Sequence, residues 1–298
     1  MTDLALKHQP TVIERLAPTK SQMTSPIYIG RALLALATLI TLLANSSWTL
    51  FHSPNPSVPL APSCGGIESI SLFCVLPSTE FARWTGIAIL LLVLSGILPG
   101  FLSILHWYVT ASVFWSIAPM EGGDQLSSIV SLLLIPIALS DGRIFLWSSK
   151  RIYDNKIINV VGNTSFLFIC LQLAIVYFNS AVAKFSSPPW VEGTAMWYWM
   201  QHPAFGAPEW LQGPALDLLA TSWGSATFTW GTILFELFIA TSIFLPQRRI
   251  RLLGYSFGVL LHLGIAIVIG LVSFSLVMIA TLTIVILGRF SESDDLKK

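Results

Sequence analysis

Residues 177–202 read YFNSAVAKFSSPPWVEGTAMWYWMQH, and there an apolar helix stops and an aromatic surface begins. The run upstream, residues 162–184, is long and apolar enough to cross the roughly 30 Å hydrocarbon core of a bilayer. Ser186-Ser187-Pro188-Pro189 ends it, leaving Lys184 at the terminus. Helical spacing stacks Tyr177, Ser180 and Lys184 on one face. Beyond the prolines come Trp190, Glu192, Gly193 and the rings of Trp197, Tyr198 and Trp199. Two readings fit: a lysine snorkelling to the headgroups beside an aromatic belt, or a cation at the mouth of a reactive pocket.

Composition points to a membrane without that stretch. Hydrophobic residues make up 54% of the 298 and charged residues 10%, against about 25% charged in soluble domains. The 16 basic and 15 acidic residues nearly cancel, and no region is both basic and aromatic as a nucleic-acid surface would be. Residues 1–27 are polar, lack a following short apolar core of the cleavable kind, and read as a cytoplasmic tail.

Working outward, the apolar runs predict an all-α bundle of about eight transmembrane helices. They cover about 28–50, 80–98, 100–118, 125–146, 162–184 and 223–246, and a block at 251–288 that divides near Gly270. Basic residues test the count. Lys7, Arg15, Lys20 and Arg31 put the N-terminus in the cytoplasm; Lys150, Arg151 and Lys156, then Arg248, Arg249 and Arg251, fall in predicted inner loops. Arg289, Lys297 and Lys298 put the tail 291–298 inside as well. The outer loops 51–79 and 185–222 hold no Lys or Arg, so only Arg83 and Lys184 fall in the outer half. Lys184 is thus isolated on a side carrying Glu68, Glu121, Asp124, Glu192, Glu209 and Asp217. Residues 185–222 are predicted to cap the outer mouth, with a short interfacial helix over 192–201.

Cys64 and Cys74 lie in the first outer loop, where an oxidising compartment favours a disulfide. No second Cys or His pair stands at zinc spacing, so no metal site is indicated. Cys170 reads as an apolar filler within its helix. Polar residues inside spans need partners. Arg31, Thr38, Thr41 and Asn45 form a stripe suited to interhelical hydrogen bonds, and Gly254, Gly258, His262, Ala266 and Gly270 form a ridge of small residues. Glu236, buried in its span, needs a partner or a proton; His106 and His262 are candidates to supply the hydrogen bond. Asp124 either caps its helix or faces Lys184 across the mouth. Asp141 and Arg143 read as boundary residues. No Walker loop, nucleophile elbow, HExxH or dinucleotide fingerprint is present.

The order Tyr177-Phe178, Lys184 and Trp190-Val191-Glu192-Gly193 resembles the vitamin K-dependent γ-carboxylases and their bacterial relatives, the HTTM domains. Arg31-Ala32-Leu33-Leu34-Ala35-Leu36, Thr38, Thr41 and the Cys64/Cys74 pair are similar to the sporulation-delaying protein B (SdpB-like) branch. The resemblance covers about residues 28–290, a single HTTM-like transmembrane domain that includes the cap. It implies a multi-pass protein of the bacterial inner membrane that matures a secreted antimicrobial peptide. Its implied partners are a toxin-peptide precursor (SdpC-like) and a small accessory protein (SdpA-like). For chemistry it implies Lys184 as a base toward a membrane quinone or hydroquinone, with O2. Glu192, Asp124 and His262 join Lys184 as catalytic candidates; Tyr177, Ser180, Trp190, Gly193, Glu236 and His106 are candidate pocket residues. The large extracytoplasmic domain of the carboxylases is absent and serines precede Pro188, which leaves glutamate carboxylation without its substrate-recognition part. Three functions stay open on the sequence: toxin maturation, a quinone-linked enzyme on another substrate, and non-enzymatic peptide translocation or immunity.

Overall fold

In the computed structural model, residues 23–51, 62–117, 122–146, 148, 156–203 and 205–289 are described. Among them the regular structure is helical throughout apart from one isolated bridge, Ile97 to Phe145. Eight helices correspond to the predicted runs: α1 Ser25–Ala44, α2 Thr79–Leu94, α3 Pro99–Ser116, α4 Gly122–Leu139, α5 Lys156–Lys184, α6 Ser222–Ser242, α7 Arg248–Val268 and α8 Val272–Leu282. Four of them, α1, α4, α5 and α7, are long and apolar enough to cross a membrane. Two tails (1–22 and 290–298), Glu121, Lys150 and Arg151 lie outside the described residues.

Local chemistry sets the helix ends. Pro26 and Pro99 occupy first-turn positions of α1 and α3, where the missing N–H costs nothing. Ser78 caps α2 by accepting from Phe81 N at 3.2 Å, and Thr221 caps α6 by accepting from Gly224 N at 3.0 Å. At the other end of α1, the Arg83 guanidinium donates to Leu42 O at 2.7 Å, placing a cation where the helix dipole is negative. Gly270, with φ 79°, makes the turn between α7 and α8, so the last apolar block divides where expected. The fourth helix is shorter than the expected span of 125–146. It ends at Leu139, and the chain then folds beside residues 96–98, with Leu98 N donating to Ile144 O at 2.7 Å and Leu146 N to Gly96 O at 3.0 Å.

Two apolar cores meet across α1. One gathers Leu34, Leu134, Phe166, Leu173, Val277 and their neighbours from α1, α4, α5, α6 and α8. The other gathers Leu39, Leu42, Leu90 and Val109 with the short helix Ser47–Phe51 and the segment Leu72–Val75. The glycine ridge works as its composition suggests. A Cβ at Gly254 would stand 2.1 Å from Ser242 Oγ, so the Ser242 side chain of α6 packs directly on the α7 backbone there. The polar stripe of α1 does not work as expected: Thr38 and Thr41 donate to Leu34 O and Ala37 O, and Asn45 to Thr41 O, all within the same helix. A hydroxyl on a helix reaches its own preceding carbonyl more readily than a neighbour's group.

Residues 185–221 form three short helices, Pro188–Val191, Ala195–Met200 and Glu209–Leu219, in place of the single one expected over 192–201. Met200, Ala207 and Leu219 make a small core of their own, against which Val268 at the end of α7 packs. The outward faces of the long helices remain apolar, with Ile157, Ile175, Phe178, Leu234 and Leu260 all exposed. Such continuous apolar surface suits lipid and not water.

Candidate functional site

Lys184 is the last residue of α5, and its ammonium reaches sideways to α6. Lys184 Nζ lies 2.7 Å from Glu236 Oε2 and 2.8 Å from Oε1. One turn below, Ser180 Oγ accepts from Nζ at 2.9 Å and donates to Glu236 Oε1 at 2.9 Å, and Ser180 O accepts from Nζ at 3.2 Å. The side chains are only 15% and 10% exposed. An ammonium has three protons, and here all are engaged by Glu236 and Ser180.

The pair is recessed. Glu236 lies fourteen positions into α6, about 21 Å along its axis at 1.5 Å per residue, whereas Lys184 ends α5. The start of α6 therefore rises past the pair, and the short helices pack onto that projecting part. Met196 N donates to Thr229 Oγ1 at 3.2 Å and Trp230 Nε1 to Val191 O at 3.3 Å. Gly193, at φ 77°, lets the chain turn hard against α6, where a Cβ would meet Ala226 and the Trp230 ring at 3.3 Å. That docking sets Trp190 with its ring centroid 5.0 Å from Lys184 Nζ, a cation–π contact.

Two turns down α5, Tyr177 OH and His262 Nε2 of α7 share a hydrogen bond of 2.8 Å. Both residues are buried, and Phe274 meets the imidazole edge to face at 5.5 Å. The stripe of Tyr177, Ser180 and Lys184 thus ties α5 to α7 through its lowest member and to α6 through its upper two.

The HTTM domain description matches residues 126–288, more than half of the chain and all of this site. The chain belongs to the HTTM family. Within it, the chain is 33% identical over 264 residues to the uncharacterised protein YitO of Bacillus subtilis (strain 168), covering 87% of this chain and 84% of YitO. It is also 33% identical over 262 residues to sporulation-delaying protein SdpB of the same organism, covering 85% of this chain and 78% of SdpB. These matches place this HTTM protein in the SdpB-like branch. No solved structure matches it.

Several expected members of the site stand elsewhere in this HTTM protein. Glu192 is exposed, and its carboxylate makes no ion pair among the described residues. Asp124 does not pair with Lys184; it lines a cavity of about 340 Å³ with Thr41, Asn45, Leu50 and Gly270. Neither histidine binds Glu236: His262 is taken by Tyr177, and His106 Nε2 has no hydrogen-bond partner among the described residues. The hydroquinone implied by the carboxylase resemblance finds no fitting base here. Lys184 has no free donor direction, and to accept a proton it would first have to be neutral, leaving Glu236 without its counter-charge. No step through a quinone follows from this arrangement.

The disulfide Cys64–Cys74 is formed. One cluster escaped the sequence reading. Arg143 Nε donates to Asp141 Oδ1 at 2.9 Å and Nη2 to Oδ2 at 2.5 Å, Tyr28 OH donates to Asp141 Oδ2 at 2.6 Å, and Arg143 Nη1 donates to Leu146 O at 3.1 Å. These residues are not ordinary boundary positions, because they tie the start of α1 to the loop after α4. The D-x-R spacing on a turn was the available signal; the partner Tyr28 lies too far away in sequence to be inferred.

Proposed function

We propose that this protein acts in the maturation of a secreted toxin peptide of the sporulation-delaying type. The 33% identity to SdpB, running through 85% of this chain and 78% of SdpB, carries the reading. In it, the protein crosses the cell membrane about eight times with both termini in the cytoplasm, and residues 185–222 cap the outer mouth. Its partners are a toxin precursor of the SdpC type and a small accessory protein of the SdpA type. The Lys184–Glu236 pair, with Ser180 and Trp190, is the centre of the site beneath that cap.

The closed ion pair favours a particular form of this role, in which Lys184 holds the site together for peptide handling and does not act as a base. The test separates the two. Arginine at position 184 keeps a cation opposite Glu236 but cannot serve as a base, since a guanidinium stays protonated. In a strain lacking the native gene, mass spectrometry of the medium should find mature toxin with the wild-type protein and with Lys184→Arg, and none with Lys184→Ala. Loss of toxin with Lys184→Arg at normal protein level would return the lysine to a base role. Unchanged toxin in the deletion strain would remove the maturation reading itself.

A further inference from the structure

Two arginines of this bundle use the same side of the guanidinium in the same way. Arg83 Nε and Nη2 donate to Glu80 Oε2 and Oε1 at 3.1 and 2.6 Å. Arg143 Nε and Nη2 close likewise on the two carboxylate oxygens of Asp141. That fork of parallel N–H groups matches a carboxylate or phosphate edge. Arg31 is more deeply buried than either, at 4% exposure, and the same two atoms, Nε and Nη2, have no hydrogen-bond partner among the described residues. Among the described residues, no carboxylate forms an ion pair with it. A guanidinium keeps its proton, so burial cannot be relieved by neutralisation, and an unpaired interior charge is strongly unfavourable.

A second buried group shares the condition. His106 of α3 is 1% exposed, and its Nε2 is also without a hydrogen-bond partner among the described residues. The two helices that carry these residues, α1 and α3, are in contact. An open fork and an open imidazole nitrogen, on neighbouring helices and both sealed from water, are the donor set of an oxyanion site. We propose that Arg31 and His106 bind a phosphate group inside the bundle, the guanidinium gripping two oxygens through Nε and Nη2 and His106 Nε2–H donating to a third. Arg31 stands six positions into α1, about 9 Å along its axis from Ser25. The same donors serve a headgroup phosphate or free phosphate.

The full-length protein, purified in a neutral detergent, decides this with two probes: inorganic phosphate against chloride at equal ionic strength, and phosphatidylglycerol against phosphatidylcholine in mixed micelles. Thermal melting and native mass spectrometry are the readouts. A rise in melting temperature with phosphatidylglycerol alone identifies a headgroup; a rise with inorganic phosphate as well identifies a free anion. In either case Arg31→Gln should abolish the rise and His106→Ala should reduce it. If Arg31→Gln does not accumulate, Arg31→Lys, which keeps the charge but loses the fork, should show the weakened response. The proposal is overturned if neither probe shifts the wild type, or if the variants respond as the wild type does.

Discussion

At the scale of single residues, the molecule is decided by where its few charges find partners. Lys184 and Glu236 are mostly withdrawn from solvent, so deleting one side strands the other. Lys184→Ala should lower stability by about 3–5 kcal/mol, the usual consequence of breaking a largely buried pair from one side. The double variant Lys184→Met with Glu236→Gln should recover much of that loss, because no bare charge is left. Chemical or thermal melts in detergent of the wild type, Lys184→Met, Glu236→Gln and the double variant form the cycle; additive losses would mean that the pair is not coupled. The Asp141 cluster makes a pH prediction. Burial alone would raise the Asp141 carboxyl, but hydrogen bonds from Arg143 and Tyr28 outweigh it and hold the group below its ordinary value. A depressed carboxyl stabilises the folded state above its unfolded value of about 3.9 and loses that contribution as pH falls through the folded one. Melting temperature should therefore fall more steeply with acid below about pH 4 in the wild type than in Asp141→Asn. Parallel acid curves would contradict it.

How much could be read in advance also differs by residue. Tyr177, Ser180 and Lys184 were legible together, because helical periodicity alone sets them on one stripe. Glu236 was recognisable as a buried carboxylate in need of a partner, but its pairing with Lys184 depends on how α5 and α6 lean after a long intervening excursion. Arg143 was passed over because neighbouring Asp and Arg at a helix end usually face water. Its burial comes from Tyr28, which returns to that loop only in the folded chain.

At the scale of elements, close packing depends on small residues and on one covalent link. Gly254 lets α7 approach α6 until Ser242 Oγ occupies the space of a side chain. Gly254→Leu should push these helices apart and sharply reduce the amount of folded protein. Gly254→Ala should be partly rescued by Ser242→Gly, which vacates the clashing atom; detergent-stable yield measured by size-exclusion chromatography would show it. No rescue would mean that the contact is not what limits approach. The Cys64–Cys74 link closes a short loop, so the Cys64→Ser/Cys74→Ser protein should lose roughly 2–3 kcal/mol. Thiol labelling of the native wild type should leave both cysteines unmodified until a reductant is added. The element boundaries were readable wherever proline or a cap residue marks them, as at Pro26, Ser78 and Pro188. After Leu139 the stop is written in the sequence, as the polar run Ser140-Asp141-Gly142-Arg143, but the apolar Ile144-Phe145-Leu146 beyond it extends the predicted span past the true helix end.

At the scale of the whole molecule, the distribution of charge should fix how the chain sits in its membrane. Arg83 and Lys184, the two basic residues that the sequence map leaves on the outer half, are both paired with carboxylates, Glu80 and Glu236. Each is thereby neutralised in place and adds little to the inward pull that unpaired Lys and Arg exert on orientation. The basic residues that remain cluster at the tails, at 150–156 and at 248–251. An even number of crossings is the arrangement that puts all four clusters on one side. A reporter active only in the cytoplasm should therefore be active when fused after Lys298 or inserted near Lys150. It should be silent when inserted between Cys64 and Cys74 or within residues 205–208. Activity at the Cys64 loop would turn the map over and expose that disulfide to a reducing compartment. Activity at Lys150 together with silence at the C-terminus would make the number of crossings odd and divide the basic clusters between the two sides.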